Sequence, residues 1–368
     1  MAAAPTQDPS TKDLRELLAP YARTSLPAAV VLFAGDLAIH YGALTGALLF
    51  EHWALKLLCA IVAGAAISQM FVIGHDAVHG AYTSGKTLNN LIGRIAFLPA
   101  LHNFSLWRIA HNRNHHRETN VQHLNSWSPL SPEEFAALSG WRKAVYRLYR
   151  TPFGLGPYYV WNRWWKDKFF PTTRVTGKAD KSIFWADFIL VVAYLVAWIS
   201  VVVAMAPGQS WAAIGQSLLF GFVIPFTVWN YLIGFTVYLQ HTHQRVPWFR
   251  TTAAARDATA QEDVTVHVKM PFWYGLISHH IMDHPAHHVN PKIPLYHIKK
   301  AQDALNARLG ERAVVDKFTP FYLFRVTARC KLYDYARHRW VDFNGRTVNV
   351  ALPRPQRAAG APKLRIAA

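Results

Sequence analysis

Four apolar segments restrict the folds that this chain can adopt. They cover residues 27–50, 54–73, 183–206 and 212–238. Each approaches or reaches the roughly 20 residues that an α-helix needs to cross the hydrocarbon core of a bilayer. The first segment is the most interrupted, because Asp36, His40 and Tyr41 lie within it. We therefore predict an all-α integral membrane protein with four transmembrane helices.

The connectors between these segments predict how the helices pair. Glu51-His52-Trp53 joins the first two segments, and a similarly short stretch around 207–210 joins the last two. Such short connectors indicate two membrane hairpins. Apart from Lys56 near one tip, neither connector carries Lys or Arg, whereas the opposite side holds nearly all the basic residues. By the positive-inside rule, both termini and the histidine-rich segments should face the cytosol.

The rest of the chain divides around this membrane region. We predict a cytosolic N-terminal segment at 1–26, a membrane domain at 27–343 and a flexible, basic C-terminal tail at 344–368. The N-terminal residues lack an uninterrupted apolar stretch, so they do not indicate a cleavable signal peptide. Cys59 and Cys330 are the two cysteines, which suggests neither a disulfide framework nor a thiolate metal site.

The charge of the chain is strongly positive. It carries 39 Lys and Arg against 21 Asp and Glu, which gives a net charge of +18. Such an excess of positive charge can favour binding to a nucleic acid, an anionic membrane surface or an acidic protein. The basic residues flank the apolar segments, and no recognised nucleic-acid-binding motif accompanies them. We therefore predict a lipid membrane as a partner and no nucleic acid.

Residues 141–170 mix Arg, Lys, Tyr and Trp at near-helical intervals, which indicates an interfacial amphipathic region or, alternatively, a globular packing face.

Histidines are concentrated beyond the apolar segments. Of 19 histidines, eight lie in three tight groups: His75 and His79; His111, His115 and His116; and His284, His287 and His288. A spacing of four residues places two imidazoles on one helix face, where they can bind one metal ion. The adjacent pairs, each with an upstream partner, favour a site with two metal ions. Two crossings separate the second group from the third, so all three groups can meet on one side of the membrane.

Other polar residues near these groups are further candidates. His241 follows the fourth segment and is expected to be an additional ligand or to contact one. His243 and His279 are weaker candidates for the same roles. Asp76 and Asp283 could accept hydrogen bonds from ligand imidazoles and fix their tautomers, or could be ordinary surface or capping aspartates. Neutral imidazole suits iron, zinc, copper and nickel, so the residues alone do not identify the metal.

Several motifs together resemble a known family. They are Gly74-His75-Asp76-Ala77-Val78-His79-Gly80, the run from Trp107 to Asn120, Trp127-Ser128-Pro129, Gln240-His241-Thr242-His243, the run from His279 to His288, and Pro294-Leu295-Tyr296. In this order they resemble the membrane fatty-acid desaturases, in particular the bacterial and cyanobacterial acyl-lipid desaturases of the delta-12 kind. The matching stretches cover most of the chain.

The resemblance implies a function and a set of cofactors. The expected activity is O2-dependent desaturation of a fatty-acyl chain that is linked to lipid, coenzyme A or acyl carrier protein. A non-haem centre of two irons would lie in a cytosolic, histidine-rich helical cap, at a bacterial inner membrane. Its implied ligands are His75, His79, His111, His115, His116, His241, His284, His287 and His288. Two electrons would come from a separate donor such as a ferredoxin, because the chain carries no fused haem motif or iron–sulfur cysteine cluster.

Three alternatives remain open from the sequence. Membrane di-iron hydroxylases and carotenoid ketolases or hydroxylases carry comparable histidine groups, and a shared fold does not settle the reaction. A histidine-rich metal transporter is a non-enzyme alternative, although transport sites commonly lie near mid-membrane and these groups lie beyond the apolar segments. A zinc metalloprotease is the least favoured, because Asp76 stands where its motif requires Glu.

Overall fold

The computed structural model describes residues 9–177, 181–258 and 260–348. Most of the predicted N-terminal segment therefore lies within the described part, whereas residues 349–368 of the predicted tail lie outside it. The division into an N-terminal segment, a membrane domain and a tail stays a prediction.

The described chain is mostly helical. Its α-helices are α1 Thr11–Leu18, α2 Leu26–Leu49, α3 Trp53–Val78, α4 Lys86–Phe97, α5 Phe104–Ile109, α6 Pro132–Ala136, α7 Gly140–Tyr149, α8 Leu155–Tyr158, α9 Thr173–Thr176, α10 Ser182–Ala204, α11 Trp211–Leu218, α12 Ile224–His241, α13 Thr252–Ala258, α14 Phe272–Ile277, α15 His284–Val289, α16 Leu295–Leu309 and α17 Tyr322–Arg329. Wider, π-helical turns occur at Ala110–His115, Tyr159–Phe169 and Leu219–Val223, and 3-10 turns at Ala19–Ala22, Pro152–Gly154, Pro207–Gln209, Gln261–Val264 and Gly310–Arg312.

Four of these helices are long and apolar enough to cross a membrane: α2, α3, α10 and the continuous helix Trp211–His241, which comprises α11, a π-helical turn and α12. Serine residues cap two of them. Ser25 accepts from the amide of Ala28 at the start of α2, and Ser210 accepts from the amide of Ala213 at the start of α11, which satisfies amides that the first helical turn leaves unpaired. The prediction of four helices of membrane-spanning length is confirmed.

Two of the helices extend beyond the predicted spans. The second span was predicted to end at residue 73 and the fourth at residue 238, whereas α3 continues to Val78 and α12 to His241. The added turns carry His75, Asp76 and His241, which are buried. These polar side chains find partners inside the protein, so the helices continue where the apolar pattern ends.

Helix α3 is central to the packing and contacts α2, α4 and α12. The approach of α12 depends on Gly64, because a Cβ atom at this position would lie 2.7 Å from the carbonyl oxygen of Pro225. About one helical turn before His75 on α3, the ring of Phe71 stacks on that of Phe97 with 4.7 Å between ring centres and contacts the ring of Trp229 at 4.6 Å. This aromatic core supports the end of α3 from which the first histidines project.

A partly buried ion pair fixes α10 to the segments before it. Asp187 accepts from Arg94 Nε at 2.7 Å and from the amide of Ser105 at 2.8 Å. The side-chain amide of Asn103 donates to the carbonyl of Phe184 at 2.7 Å. These bonds hold α4, α5 and α10 together and position the segment after α5, which carries His111, His115 and His116.

The prediction of an all-α fold requires a small correction. Strands β1 His267–Lys269 and β2 Val315–Lys317 pair in parallel, and strands β3 Leu332–Asp334 and β4 Arg339–Val341 pair antiparallel. Each strand has three residues, which is too short to produce a recognisable alternation in the sequence. β1 and β2 pair residues that are far apart in the sequence, such as His267 and Val315, so their pairing depends on the tertiary fold.

Candidate metal centre and acyl cavity

Four parts of the fold carry the clustered histidines. His75 lies in the last turn of α3 and His79 directly follows this helix. His111 and His115 lie in the π-helical turn after α5, and His116 follows it. His241 is the last residue of α12, and α15 carries His284, His287 and His288. The structure brings these segments, which are far apart in the sequence, to one place.

The histidines form two groups that could each hold a metal ion. The first group is His75, His79, His111, His116 and His287, and the second is His115, His241, His284 and His288. Within each group the candidate donor atoms lie within 4.8 Å of one another. Imidazole nitrogens about 2.1 Å from one ion lie at most about 4.2 Å apart, so each group needs only a small contraction to surround an ion.

The two groups are direct neighbours. The rings of His116 and His288, which belong to different groups, are 4.4 Å apart, and those of His111 and His115 are 5.0 Å apart. This arrangement suits two ions in one centre.

The π-helical turn explains how one short segment contributes to both groups, because the amide of His116 donates to the carbonyl of His111 at 3.0 Å across five residues. His111 and His116 therefore project together, and His115 projects to the other group.

The hydrogen bonding of these imidazoles fits a metal site. Among the described residues, Nε2 of His75, His79 and His288 is buried without a hydrogen-bond partner. His116 Nε2 lies 3.0 Å from Nε2 of both His111 and His287, and a neutral imidazole offers one donor and one acceptor. These facing lone pairs cannot all be satisfied by one another, whereas a cation between them would accept them.

Burial also sets the protonation state of these groups. It lowers the pKa of His111, His116, His284 and His287 well below the usual range of histidine. These side chains are therefore neutral near pH 7, which is the form that binds a metal. The histidine groups are compatible with a metal site on both geometric and electrostatic grounds.

Oxygen atoms hold the opposite ring nitrogens. Asp76 Oδ1 lies 3.0 Å from His75 Nδ1, Asn125 Oδ1 lies 2.9 Å from His115 Nδ1, and Gln261 Oε1 lies 3.0 Å from His288 Nδ1. Each acceptor favours the tautomer with the proton on Nδ1 and directs Nε2 into the centre. Asp76 has the orienting contact proposed for it from the sequence. Asn125 and Gln261 were not anticipated, because a single polar residue far from the histidines in the sequence carries no signal of its partner.

The remaining candidates lie outside both groups. His243 Nε2 is 3.0 Å from Asp316 Oδ2. Asp283 pairs with His267 at 2.8 Å and with His280 at 3.3 Å, so its contacts are not those expected of an acceptor that orients a ligand imidazole. His279 pairs with Asp36 at 2.6 Å. Asp283 and His279 nevertheless lie in the segment that leads into α15.

The Asp36–His279 pair joins α2 to that segment. Both residues are buried, and His279 and His280 have left-handed backbones with φ of 48° and 56°. Such a conformation costs roughly 1 kcal/mol or more for each residue and persists only where the surroundings impose it. The bond to α2 therefore helps to hold the turn from which α15 starts.

Replacing Asp36 by Ala is expected to destabilise the protein by about 3 kcal/mol, because it leaves the His279 imidazole buried without its partner. The measurement is thermal unfolding of the purified, detergent-solubilised protein. Asp36→Asn keeps a hydrogen-bond acceptor and should lose much less. Equal stability of the alanine variant and the original protein would show that the pair does not hold the turn.

An elongated cavity of about 320 Å³ leads to the histidines. It follows one face of α3 through Ile61, Ala65, Ser68, Val72 and His75, a distance of about 21 Å at 1.5 Å per residue. Its other walls come mainly from α12, with further residues from the segment 107–115 and from α14, and apolar side chains dominate them. Besides His75, the cavity reaches His111, His115 and His284. A long apolar chain in this cavity would pass directly beside both histidine groups.

Comparison with known proteins agrees with this description. A model of the fatty acid desaturase family matches residues 51–319. The sn-1 oleoyl-lipid 12-desaturase of Picosynechococcus sp. is 27% identical over 79% of this chain and 80% of its own length. The enzyme of the same name from Synechocystis sp. is 26% identical over 83% of each chain. The chloroplastic omega-6 fatty acid desaturase of Arabidopsis thaliana is 25% identical over 77% of this chain and 60% of its own length.

The fold and the site define an integral membrane protein with four long apolar helices and a histidine site compatible with metal. The family match then identifies the chain. It belongs to the fatty acid desaturase family and is an oxidoreductase that desaturates fatty acids. The family resemblance of the histidine motifs is confirmed, and the carotenoid-oxygenase and metal-transporter alternatives are not favoured.

Proposed function

We propose that the protein inserts a double bond into an acyl chain of a membrane lipid, with O2 as co-substrate and a di-iron centre. The observation that carries this proposal is the long apolar cavity that ends at two adjacent histidine groups. The names of the cyanobacterial relatives, which describe action on an oleoyl-lipid at position 12, support a lipid-linked acyl substrate. The same position on an oleoyl chain is our first choice for this enzyme.

The proposed ligands follow the two groups. One iron would be held by the first group (His75, His79, His111, His116 and His287) and the other by the second (His115, His241, His284 and His288). When bound, the irons supply the oxygen activation that removes hydrogen from an unactivated methylene. Two electrons would come from a separate, ferredoxin-like donor, and the net positive charge of the chain suits an acidic carrier.

The side chains of the protein position the substrate and exclude water. Trp107 stacks on His111 at 4.1 Å and meets Phe71 edge-on at 5.3 Å. These rings line the cavity beside the first histidine group. They would restrict the acyl chain to one path and keep water from the reacting methylene. Asp76, Asn125 and Gln261 would hold their imidazoles in the ligand tautomer.

For the membrane topology we propose two hairpins, with both termini and the metal centre in a helical cap on the cytosolic side of a bacterial inner membrane. Contacts between α2 and α3 support the first hairpin: His40 Nδ1 lies 3.1 Å from the carbonyl of Ala63, and Lys56 Nζ donates to the carbonyl of Leu48. The concentration of basic residues away from the short connectors supports the orientation.

Expression in a bacterial host without polyunsaturated lipids, together with a ferredoxin and its reductase, tests the function. We expect new double bonds in the membrane lipids, resolved by gas chromatography and mass spectrometry. The same cells carrying an inactive His288→Ala variant are the control. Hydroxylated or ketolated products with unchanged unsaturation would contradict the desaturase assignment of the reaction.

The cavity also predicts chain-length selectivity. Ala65 lies ten residues before His75 on α3, about 15 Å along the helix, and lines the cavity. Ala65→Phe should block the part of the cavity beyond this position and reduce turnover of oleoyl relative to palmitoleoyl chains by about tenfold, since excluding a methylene group from an apolar pocket costs about 1–3 kcal/mol. The measurement is the product ratio from mixed substrates.

Val62→Phe provides a matched control for this experiment. Val62 is on the same helix but exposed, and it does not line the cavity. An unchanged product ratio in both variants would mean that the far end of the cavity does not hold the acyl chain.

A further inference from the structure

Lys168 is a buried cation in the wall of the cavity. It lies in the π-helical segment Tyr159–Phe169, its exposed fraction is 8%, and it lines the cavity. Within the described part of the chain, its ammonium group has no hydrogen-bond or ion-pair partner, whereas its backbone carbonyl accepts from the amide of Asn103. Burial lowers the pKa of Lys168 to about 7. A buried charge without a partner is costly, so this side chain is suited to an anionic ligand.

Arg163 adds a second cation to the same wall. It lines the cavity, its side chain is 15% exposed, and Nη1 lies 3.1 Å from Asp167 Oδ2. Its Nε is buried without a hydrogen-bond partner among the described residues. No Asp or Glu is among the described residues that line the cavity. Lys168 and Arg163, even with Asp167 paired to Arg163, give one wall of an otherwise apolar cavity a net positive charge.

The surroundings indicate where the anion comes from. On the segment that carries both cations, Trp161 is 58% exposed and Trp165 is also exposed. Across the cavity, Phe272 and Trp273 of α14 are largely exposed, and Trp273 also lines the cavity. Exposed aromatic side chains of this kind are typical of the interface between membrane and water, where lipid phosphates lie. Lysine binds phosphate as a point charge, and arginine adds directed donors.

We propose that Lys168 and Arg163 form a subsite for the phosphate of the acyl donor, with a phospholipid as its source. The inference rests on the proposed function and adds to it a preference for phosphate-bearing acyl donors over neutral glycolipids. The apolar cavity holds the acyl chain, and the cationic wall holds the phosphate and fixes how far the chain enters. The depth of entry in turn determines which methylene lies beside the metal centre.

The test uses the purified, iron-loaded full chain with its electron donor. Oleoyl phosphatidylglycerol, an oleoyl galactolipid and oleoyl-coenzyme A are supplied separately. We expect the wild type to prefer phosphatidylglycerol to the galactolipid. Lys168→Met should lower kcat/KM for phosphatidylglycerol by about tenfold or more, the effect of losing one charged hydrogen bond, and should lower it less for the galactolipid. Lys168→Arg should retain the preference.

Lys166→Met is the matched control, because Lys166 lies on the same segment and is exposed. It should leave the preference unchanged. A wild type without preference, or an equal loss on both lipids in Lys168→Met, would overturn the subsite. A wild-type preference for oleoyl-coenzyme A that Lys168→Met removes would support a phosphate subsite but overturn the phospholipid as its source.

A binding measurement separates this proposal from the proposed function. Native mass spectrometry should show phosphatidylglycerol retained by the wild type and by Lys166→Met, and lost from Lys168→Met at unchanged iron content. This result does not require turnover. If the wild type retains the lipid in this way but forms no double bond on any donor, the proposed function fails and the subsite stands. Equal retention by all three proteins would refute the subsite even where desaturation is observed.

Discussion

Replacing His116 by Ala is expected to reduce double-bond formation by more than about 100-fold. His116 Nε2 lies 3.0 Å from the corresponding atoms of His111 and His287, and its ring is 4.4 Å from that of His288 in the other group. Its loss would remove one of five proposed ligands from the first ion and loosen the contact between the two groups. Changes in the residues that merely orient metal ligands cost 10–100-fold, so loss of a ligand should cost at least as much.

The measurement combines product analysis with the iron content of the purified variant. His123→Asn is a suitable control, since His123 is exposed, belongs to neither group and has a left-handed backbone with φ of 63°, a conformation that Asn tolerates. This control should retain both iron and activity. Full activity in His116→Ala would refute its assignment as a ligand.

Replacing Asp76 by Ala is expected to reduce activity by about 10–100-fold through lower metal affinity. One carboxylate oxygen lies 3.0 Å from His75 Nδ1, and the other accepts from the amide of Leu295 at 2.6 Å. The side chain is buried, so no water can easily replace either contact. Its loss would free the His75 ring and separate the start of α16 from the end of α3.

Two readouts distinguish these consequences of the Asp76 change. Iron titration should show weaker binding in Asp76→Ala, and excess iron should restore part of the activity. Asp76→Asn keeps an acceptor oxygen for only one of these two contacts and loses the negative charge, so it should fall between the alanine variant and the original protein. Asp303→Ala, which removes an exposed aspartate of α16, serves as the control. Unaltered iron affinity in Asp76→Ala would contradict the proposed orienting role.

The histidine residues were recognisable from the sequence because their spacing is local. Pairs three to five residues apart share a short helical segment, and the two predicted membrane crossings between the second and third sequence groups would return the chain to the same side of the membrane. Their division between the two groups was not readable in the same way. It depends on the π-helical turn at Ala110–His115, in which one extra residue changes the direction of His115 relative to His116. No pattern of residue types predicts that turn reliably.

The partners of the histidines show the same limit. Asp76 was found because it adjoins His75 in the chain, whereas Asn125 and Gln261 reach their imidazoles across 10 and 27 residues. Asp283 also adjoins a histidine, but its carboxylate turns to His267 and His280. Sequence proximity therefore indicates a contact only when the local backbone directs both side chains the same way.

The sequence by itself determined the helical membrane class, the four long apolar helices and the histidines that meet at the site. The helices follow from apolar runs of about 20 residues, and the histidine groups follow from spacing over one or two helical turns. The tertiary structure decided how the imidazoles divide into two groups, which oxygen atoms fix their tautomers and where the apolar cavity runs. It also placed Lys168 and Arg163 in the cavity wall. Such features depend on the packing of distant segments, because a side chain's partner and its burial exist only once the helices have come together.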